Sequence, residues 1–292
     1  MSLFLDKLAE KARSEDLNIY NIVERTDAGA GQVQINWGNA AHDCYSIAKT
    51  VTSIAIGILS DRRLVDVNDK VSKYLSEFYP EGYDKKWDEV TIEQVFRHRT
   101  GSPRGCDFDG EDFNDFNTTD VLHFLLGQPI TLTPGKEMVY ADGNYYIISR
   151  IVEKITGMDL ENFLQKELFV PLRFHVYAWS RCFDGHTLGG TGLFCKTWDL
   201  AKIGQLYLDR GVYEGKRIFS ETWADYIYSS QYKDEFGTSG SIAAHDHGIY
   251  HMAGAFGQRI IFSPKTHRVV AYHSYGAVDL LPYFTELENQ GL

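Results

Sequence analysis

The stretch CYSIAKTVTSIAIGIL, residues 44–59, sets a serine and a lysine three positions apart at the start of a segment that is otherwise apolar. As a helix beginning near Tyr45 it places Ile47, Val51, Ile54, Ala55, Ile58 and Leu59 on one face, the pattern of a buried helix central to a fold. Ser46 and Lys49 then stand one turn apart on another face, where the lysine nitrogen can reach the serine oxygen. A lysine in a water-poor pocket has a depressed pKa and can take a hydroxyl proton. The helix N-terminus would also set its positive dipole end, and the Ser46 amide, beside a developing oxyanion. A serine at a helix start is equally the ordinary residue of a cap. Ser-x-x-Lys recurs at Ser230 and Lys233, in the polar stretch YSSQYKDEFG with no apolar helix behind it. The tetrapeptide by itself leaves capping and catalysis both open.

The chain around this segment can bury a large core: 292 residues, 43% hydrophobic and 14% aromatic, enough for one large domain or two interleaved lobes. Forty acidic residues against 29 basic ones give a net charge of −11, which repels phosphate backbones and anionic lipid and argues against nucleic-acid or membrane-surface partners. Cys44, Cys106, Cys182 and Cys195 form no CxxC pair and read as reduced, partly buried thiols. The opening MSLFLDKLAEKARSEDLN has the alternation of an amphipathic helix, lacks the apolar run of a signal peptide, and leads to the expectation of a cytoplasmic protein. No stretch reaches the ~18 uninterrupted apolar residues of a membrane span.

Working outward, residues 18–38 contain β-prone runs around AGAG that predict a hairpin-like pair of strands, and GQRIIFSPKTHRVVAYHSYG (257–276) predicts two strands joined at SPKTH. Between these ends the texture is helical: LVDVNDKVSKYL (64–75), VTIEQVFRHRTGS (90–102), TTDVLHFLL after a cap, YYIISRIVEKITG with a Gly stop, and MDLENFLQKELFVPL ended by Pro171. The acidic loop CDFDGEDFNDFNTTD resembles a calcium loop only loosely, because Asp107, Asp109, Glu111 and Asp112 lack the ligand spacing and the closing Glu. Strands at both ends and helices between them predict one sheet built from the two termini with an inserted helical region.

Several segments, in order, resemble the serine β-lactamase and penicillin-binding-protein family, in particular its class C β-lactamase, D-alanyl-D-alanine carboxypeptidase and esterase branch. SIAKTVTSIAIGIL is similar to the nucleophile helix, VFRHRTGS to the "LLTHTSG" stretch, and PGKEMVYADGNYYIISRIVEKITG to "PG…F.YSN.GY.LLG.IIE..TG". GGTGLFCKTWDLAKIGQLYLDRG and GAFGQRIIFSP match the later segments, so the likeness covers nearly the whole chain. The resemblance implies an α+β, β-lactamase/transpeptidase-like fold, with an antiparallel sheet lobe from residues 1–65 and 195–292, a helical lobe at 66–194, and the pocket between them. It also implies a cofactor-free acyl-enzyme mechanism in which Ser46 attacks a carbonyl while Lys49 and Tyr140 share its proton and later pass one to the leaving group.

Two positions depart from the family's pattern. Asp142 stands where the Tyr-x-Asn motif has Asn, and a carboxylate there should hold Lys49 protonated and repel an anionic substrate. In YHMAGAFGQ, Gly254 matches the glycine of the Lys-Thr-Gly or His-x-Gly motif, which leaves Met252 at the basic position and His251 one residue early, with the Ala255 amide as second oxyanion donor. A pocket without that cation favours esters or amides less anionic than penicillins. Residues Ser46, Lys49 and Tyr140 are thus the expected catalytic set, and Asp142, His251, Gly254 and Ala255 the expected substrate-binding set, acting on a small-molecule ester, amide or β-lactam.

Other chemistries find less support. No G-x-S-x-G elbow and no H-E-x-x-H occurs. In HDHGIYH, His245, His247 and His251 would share one face of a strand and could hold zinc, but no further ligand is evident, and the expectation is no metal. The rival class is a catalytically weak or inert family member that binds a ligand or partner, for which Asp142 and the missing basic motif speak. Oligomeric state is not readable from the sequence.

Overall fold

The computed structural model describes residues 2–104, 106, 108, 120–228 and 242–292. Asp107, Asp109, Glu111 and Asp112 of the acidic loop, and the second serine–lysine pair at Ser230 and Lys233, lie outside the described residues.

The chain opens with helix α1 (Leu3–Ser14), strands β1 (Ile19–Thr26), β2 (Gly29–Gln34) and β3 (Ala41–Asp43), and helix α2 (Ile47–Asp61). Helices α3 (Ser72–Leu75), α4 (Ile92–Phe96), α5 (Val121–Leu126), α6 (Asp142–Thr156) and α7 (Leu160–Leu164) follow, then strands β4 (Tyr177–Trp179) and β5 (Leu193–Lys196). Helix α8 (Thr197–Leu208), the small hairpin β6 (Val212–Tyr213) and β7 (Lys216–Arg217), and α9 (Glu221–Tyr228) lead to β8 (Ile242–Ala244), β9 (Tyr250–Gly254), β10 (Gln258–Ser263), β11 (Arg268–Ser274) and α10 (Leu281–Asn289). Among the described residues no helix is long and apolar enough to cross a membrane.

The backbone divides into two compact units. The first comprises Met1–Ile47, Pro171–Ala178 and Phe194–Leu292, and the second Ala48–Val170 and Trp179–Leu193. The first is built on a six-stranded sheet of order β2-β1-β11-β10-β9-β8. Its neighbours are antiparallel, and strands from the two ends of the chain meet where β1 pairs with β11, with Ile22 opposite Tyr272 and Val23 opposite Ala271. Both hairpins expected from the sequence are present as β1/β2 and β10/β11. Apolar alternation on these strands faces α1 and α10 on one side, where Phe4, Leu5, Leu8, Ile22, Val270 and Phe284 form the core. Helix α8 covers the other side so closely that a Cβ on Gly204 would lie 2.6 Å from Ile260 and Val269, which is why that position is glycine. At the α1 side a buried ion network joins Arg268 to Glu24 (3.0 Å) and Glu288 (2.6 Å), with the guanidinium 3.8 Å from the Phe4 ring.

The second unit is helical. Helix α2 is buried from Ile47 through Leu59, polar residues included, and these find partners: Thr52 donates to the Gly189 carbonyl (2.7 Å) and Ser53 to that of Thr50 (2.7 Å). Helix α4 starts in a capping box of Thr91 and Gln94, α5 is capped by Asp120, and α6 ends where Gly157 takes a left-handed conformation (φ 69°).

Candidate active site

Within the helical unit the site is organised around Lys49. This residue is fully buried, the third residue of α2, and its ammonium pairs with the Asp142 carboxylate and donates to the Gly190 carbonyl at 2.9 Å. The ammonium also lies 4.7 Å from the centre of the Tyr140 ring and 5.9 Å from that of Tyr145. Asp142 is the first residue of α6, where a negative charge suits the helix dipole, and its second oxygen accepts the Phe108 amide at 3.2 Å. A Cβ on Gly190 would sit 2.8 Å from the Asp142 carbonyl, so only glycine lets its own carbonyl reach the lysine from that side.

These contacts decide the charge state of the lysine. Burial pulls the ammonium down, but the nearby Asp142 charge, with hydrogen bonding to Asp142 and Tyr140, outweighs it and holds Lys49 above its ordinary range. The depressed lysine expected of a water-poor pocket is therefore corrected: desolvation is present, and the buried carboxylate beats it. Protonated lysine is the form that Asp142 was expected to enforce.

Tyr140 is fixed from its other side by His98, whose ring is stacked 4.4 Å away at 29°. His98 Nδ1 accepts the Ala141 amide at 3.2 Å and faces the Asn144 amide nitrogen at 3.2 Å, so the ring proton resides on Nε2. Burial, and then the Lys49 charge, push His98 well below its usual value and keep it neutral. His98 lies within VFRHRTGS, where no sequence pattern marks it as a site residue; its backbone at φ 54°, rare for a non-glycine residue, is the structural sign of a constrained position.

Ser46 belongs to the sheet-based unit and immediately precedes the first residue of α2, half-buried. It follows Tyr45, which adopts a left-handed backbone (φ 47°) held by its amide donating to Asp43 Oδ1 at 2.8 Å, while the Ile47 amide donates to the Cys44 carbonyl at 3.1 Å. The helix thus starts one to two residues later than the periodicity indicated, after a tight turn that presents the serine. In the same unit β9 ends against that turn. A Cβ on Gly254 would be 2.2 Å from the Cys44 carbonyl oxygen, so glycine is required for the approach that brings the chain at Ala255 beside it. The Phe256 ring, also on a left-handed backbone (φ 58°), lies 5.1 Å from that of Tyr45.

Of the residues named from sequence, then, Lys49, Tyr140 and Asp142 meet in one cluster, and Gly254 and Ala255 adjoin the turn that carries Ser46. His251 is elsewhere on β9, in the opposite parity to Met252 and Gly254, with Nδ1 accepting from Arg259 at 3.3 Å. Burial, then the charge of Arg259, pushes its pKa down to about 4. Met252 is completely buried between Ile260 and Ile242 of the flanking strands. His245, His247 and His251 do not form one strand face. β8 ends at Ala244, His247 sits in a turn at φ 62°, and β9 starts only at Tyr250, because Gly248 and the left-handed His247 break the extended run.

Comparison with known proteins agrees with this architecture. The family model described as Beta-lactamase matches residues 24–281. A relative from Salmonella agona (strain SL483), provisionally named a D-alanyl-D-alanine carboxypeptidase, is 25% identical over 282 residues, covering 78% of this chain and 64% of its own. The chain thus spans somewhat under two thirds of the curated relatives it matches. A Bacillus anthracis protein, provisionally named a 6-aminohexanoate-dimer hydrolase, superposes with a TM-score of 0.77 at 19% identity, over 97% of this chain and 80% of that one. A penicillin-binding protein from Bacillus halodurans gives 0.75 at 16% identity, over 99% and 100%. These likenesses establish a β-lactamase/transpeptidase-like fold, with its antiparallel sheet and helices.

Proposed function

The chain belongs to the Beta-lactamase family, and from that premise we propose that it is a serine hydrolase acting through an acyl-enzyme on a small ester, amide or β-lactam. The observation that carries the proposal is the buried pair of Lys49 and Asp142 with the half-buried Tyr140 ring against the ammonium, the lysine following Ser46 by one turn of chain. A buried ion pair set against a half-exposed tyrosine has little structural reason to exist; as proton-transfer groups the lysine and tyrosine do.

In this reading the Ser46 oxygen attacks the substrate carbonyl and gives up its proton. With Lys49 held protonated, the base in this reading is Tyr140 acting as the phenolate beside that ammonium: its oxygen takes the Ser46 proton, and the ammonium stabilises the negative charge that develops. The Ser46 and Ala255 amides take the oxyanion. Collapse of the tetrahedral intermediate expels the alcohol or amine, which recovers the proton, and water then frees the acyl group from Ser46. With methionine at the basic position of the third motif, a neutral or weakly anionic ester or amide is the favoured substrate class. The free, buried thiols suit a reducing cytoplasm, which we include in the proposal.

One observation favours a second reading, a slow or inert ligand binder. Lys49 is tied at once to Asp142 and to Gly190, which leaves no neutral amine to act as base. Intact-protein mass after exposure to a fluorophosphonate, beside Ser46→Ala, separates the two. A single adduct on the parent and none on the variant supports the hydrolase, whereas no adduct on either establishes the binder. An adduct retained in the variant would mean another nucleophile.

A further inference from the structure

Two residues before Ser46, the sheet-based unit encloses a group of soft donors that the reaction does not use. β3 and β5 pair with His42 opposite Cys195, and this brings the Cys44 and Cys195 sulfurs to 3.4 Å from each other. The third member is His273 of β11, and the ligand atoms of all three lie within 4.8 Å of one another. All three side chains are buried, at 0%, 1% and 0% exposure.

The hydrogen bonding around His273 determines which nitrogen is available. Gln258 is oriented by Ser274: its Oε1 accepts the Ser274 amide at 3.2 Å and its Nε2 donates to the Ser274 carbonyl at 2.6 Å. His273 Nδ1 lies 2.9 Å from the same Oε1 and must therefore carry the proton that it donates there. Nε2 is buried and makes no hydrogen bond of good geometry; the Cys195 backbone is its polar neighbour. A neutral imidazole whose far nitrogen is fixed by an amide oxygen is the usual form of a histidine metal ligand.

We infer that Cys44, Cys195 and His273 form a site for a thiophilic divalent ion, zinc by preference, bound through two thiolates and His273 Nε2. Tetrahedral zinc with ~2.3 Å bonds to sulfur separates two sulfurs by about 3.8 Å, so the pair needs to open by only a few tenths of an ångström. The fourth position is open to water or to His42, whose ring centre is 5.4 Å from that of His273 and whose buried Nε2 likewise makes no hydrogen bond of good geometry. Loading one ion converts two thiols to thiolates and releases two protons. The bound ion would brace the strand that leads into Ser46. The other group of candidate ligands, Glu153, Asp159 and His186, is already engaged: Arg181 pairs with Asp159 at 3.1 Å and His186 with Glu153 at 2.8 Å.

The test is a cobalt(II) titration of the whole, chemically reduced protein, followed by zinc. One equivalent of cobalt should give the near-ultraviolet charge-transfer band of two thiolates, release two protons to a weakly buffered indicator, and be displaced by zinc. Cys195→Ser should lose most of that band, and a Cys106→Ser, Cys182→Ser double variant should keep it. Should the serine variant fail to fold, X-ray absorption of the zinc-loaded parent gives the same answer through two sulfurs and at least one nitrogen in the coordination shell. Cobalt bound without a thiolate band, as the oxygen-rich group would bind it, overturns the inference. So does the absence of stoichiometric binding.

Discussion

Replacing Asp142 with asparagine isolates the effect of the carboxylate on the lysine. The change preserves shape and one acceptor for the Phe108 amide, but removes the charge that holds Lys49 protonated. What remains is burial, which opposes the ammonium and is the largest influence on this lysine. Keeping a buried charge after losing its partner costs about 3–5 kcal/mol. Deprotonating an ordinary lysine at about pH 8 costs about 3 kcal/mol. The neutral amine is therefore the cheaper state under mildly alkaline conditions, and a neutral Lys49 can act as general base. General-base assistance contributes about 10²–10⁴ in rate. We expect Asp142→Asn to be acylated some 10- to 100-fold faster, with the rise most pronounced at alkaline pH, while losing about 3 kcal/mol of stability. The assay is the pH dependence of acylation by an activated ester or fluorophosphonate, read as adduct mass against time, beside urea unfolding. Unchanged or slower acylation at every pH, with the fold retained, would refute the idea that the carboxylate restrains the base.

Gly254→Ala must push β9 away from Cys44, so acylation should fall about 100-fold, as when an oxyanion donor is lost, with about 1–3 kcal/mol of destabilisation in urea; normal acylation would remove Ala255 from the proposed mechanism. His98 is buried neutral, and its depressed folded value means that the unfolded chain binds the proton first. Its contribution to stability is whole above about pH 6.5 and declines as pH falls, by up to about 1.4 kcal/mol per pH unit. His98→Gln should flatten that acid slope in urea unfolding and slow acylation through a displaced Tyr140; an unaltered slope would show that His98 is not buried neutral. Arg268→Met leaves Glu24 and Glu288 buried without their cation and should cost about 3–5 kcal/mol in urea unfolding, and a loss below about 1 kcal/mol would mean that water reaches the pair.

The sequence by itself determined what acts over short stretches of chain. The apolar run after Ser46 specified a buried helix, the Gly157 stop ended α6, and β-prone runs around AGAG and SPKTH specified the two hairpins, because periodicity and turn chemistry operate within a few residues. Motif order added the family, and the identity of Asp142 carried the direction of its effect on Lys49. Other features were decided only by the tertiary structure. β1 pairs with β11 from the other end of the chain, His98 stacks on Tyr140, Gly254 presses on the Cys44 carbonyl, and Cys44, just past β3, converges with Cys195 of β5 and His273 of β11. No local pattern encodes such meetings. They follow from packing distant segments around a shared core, and so do the partners that set each buried group's charge: a lysine enclosed in protein is driven toward neutrality by lost water, and only the fold could supply the carboxylate that reverses it.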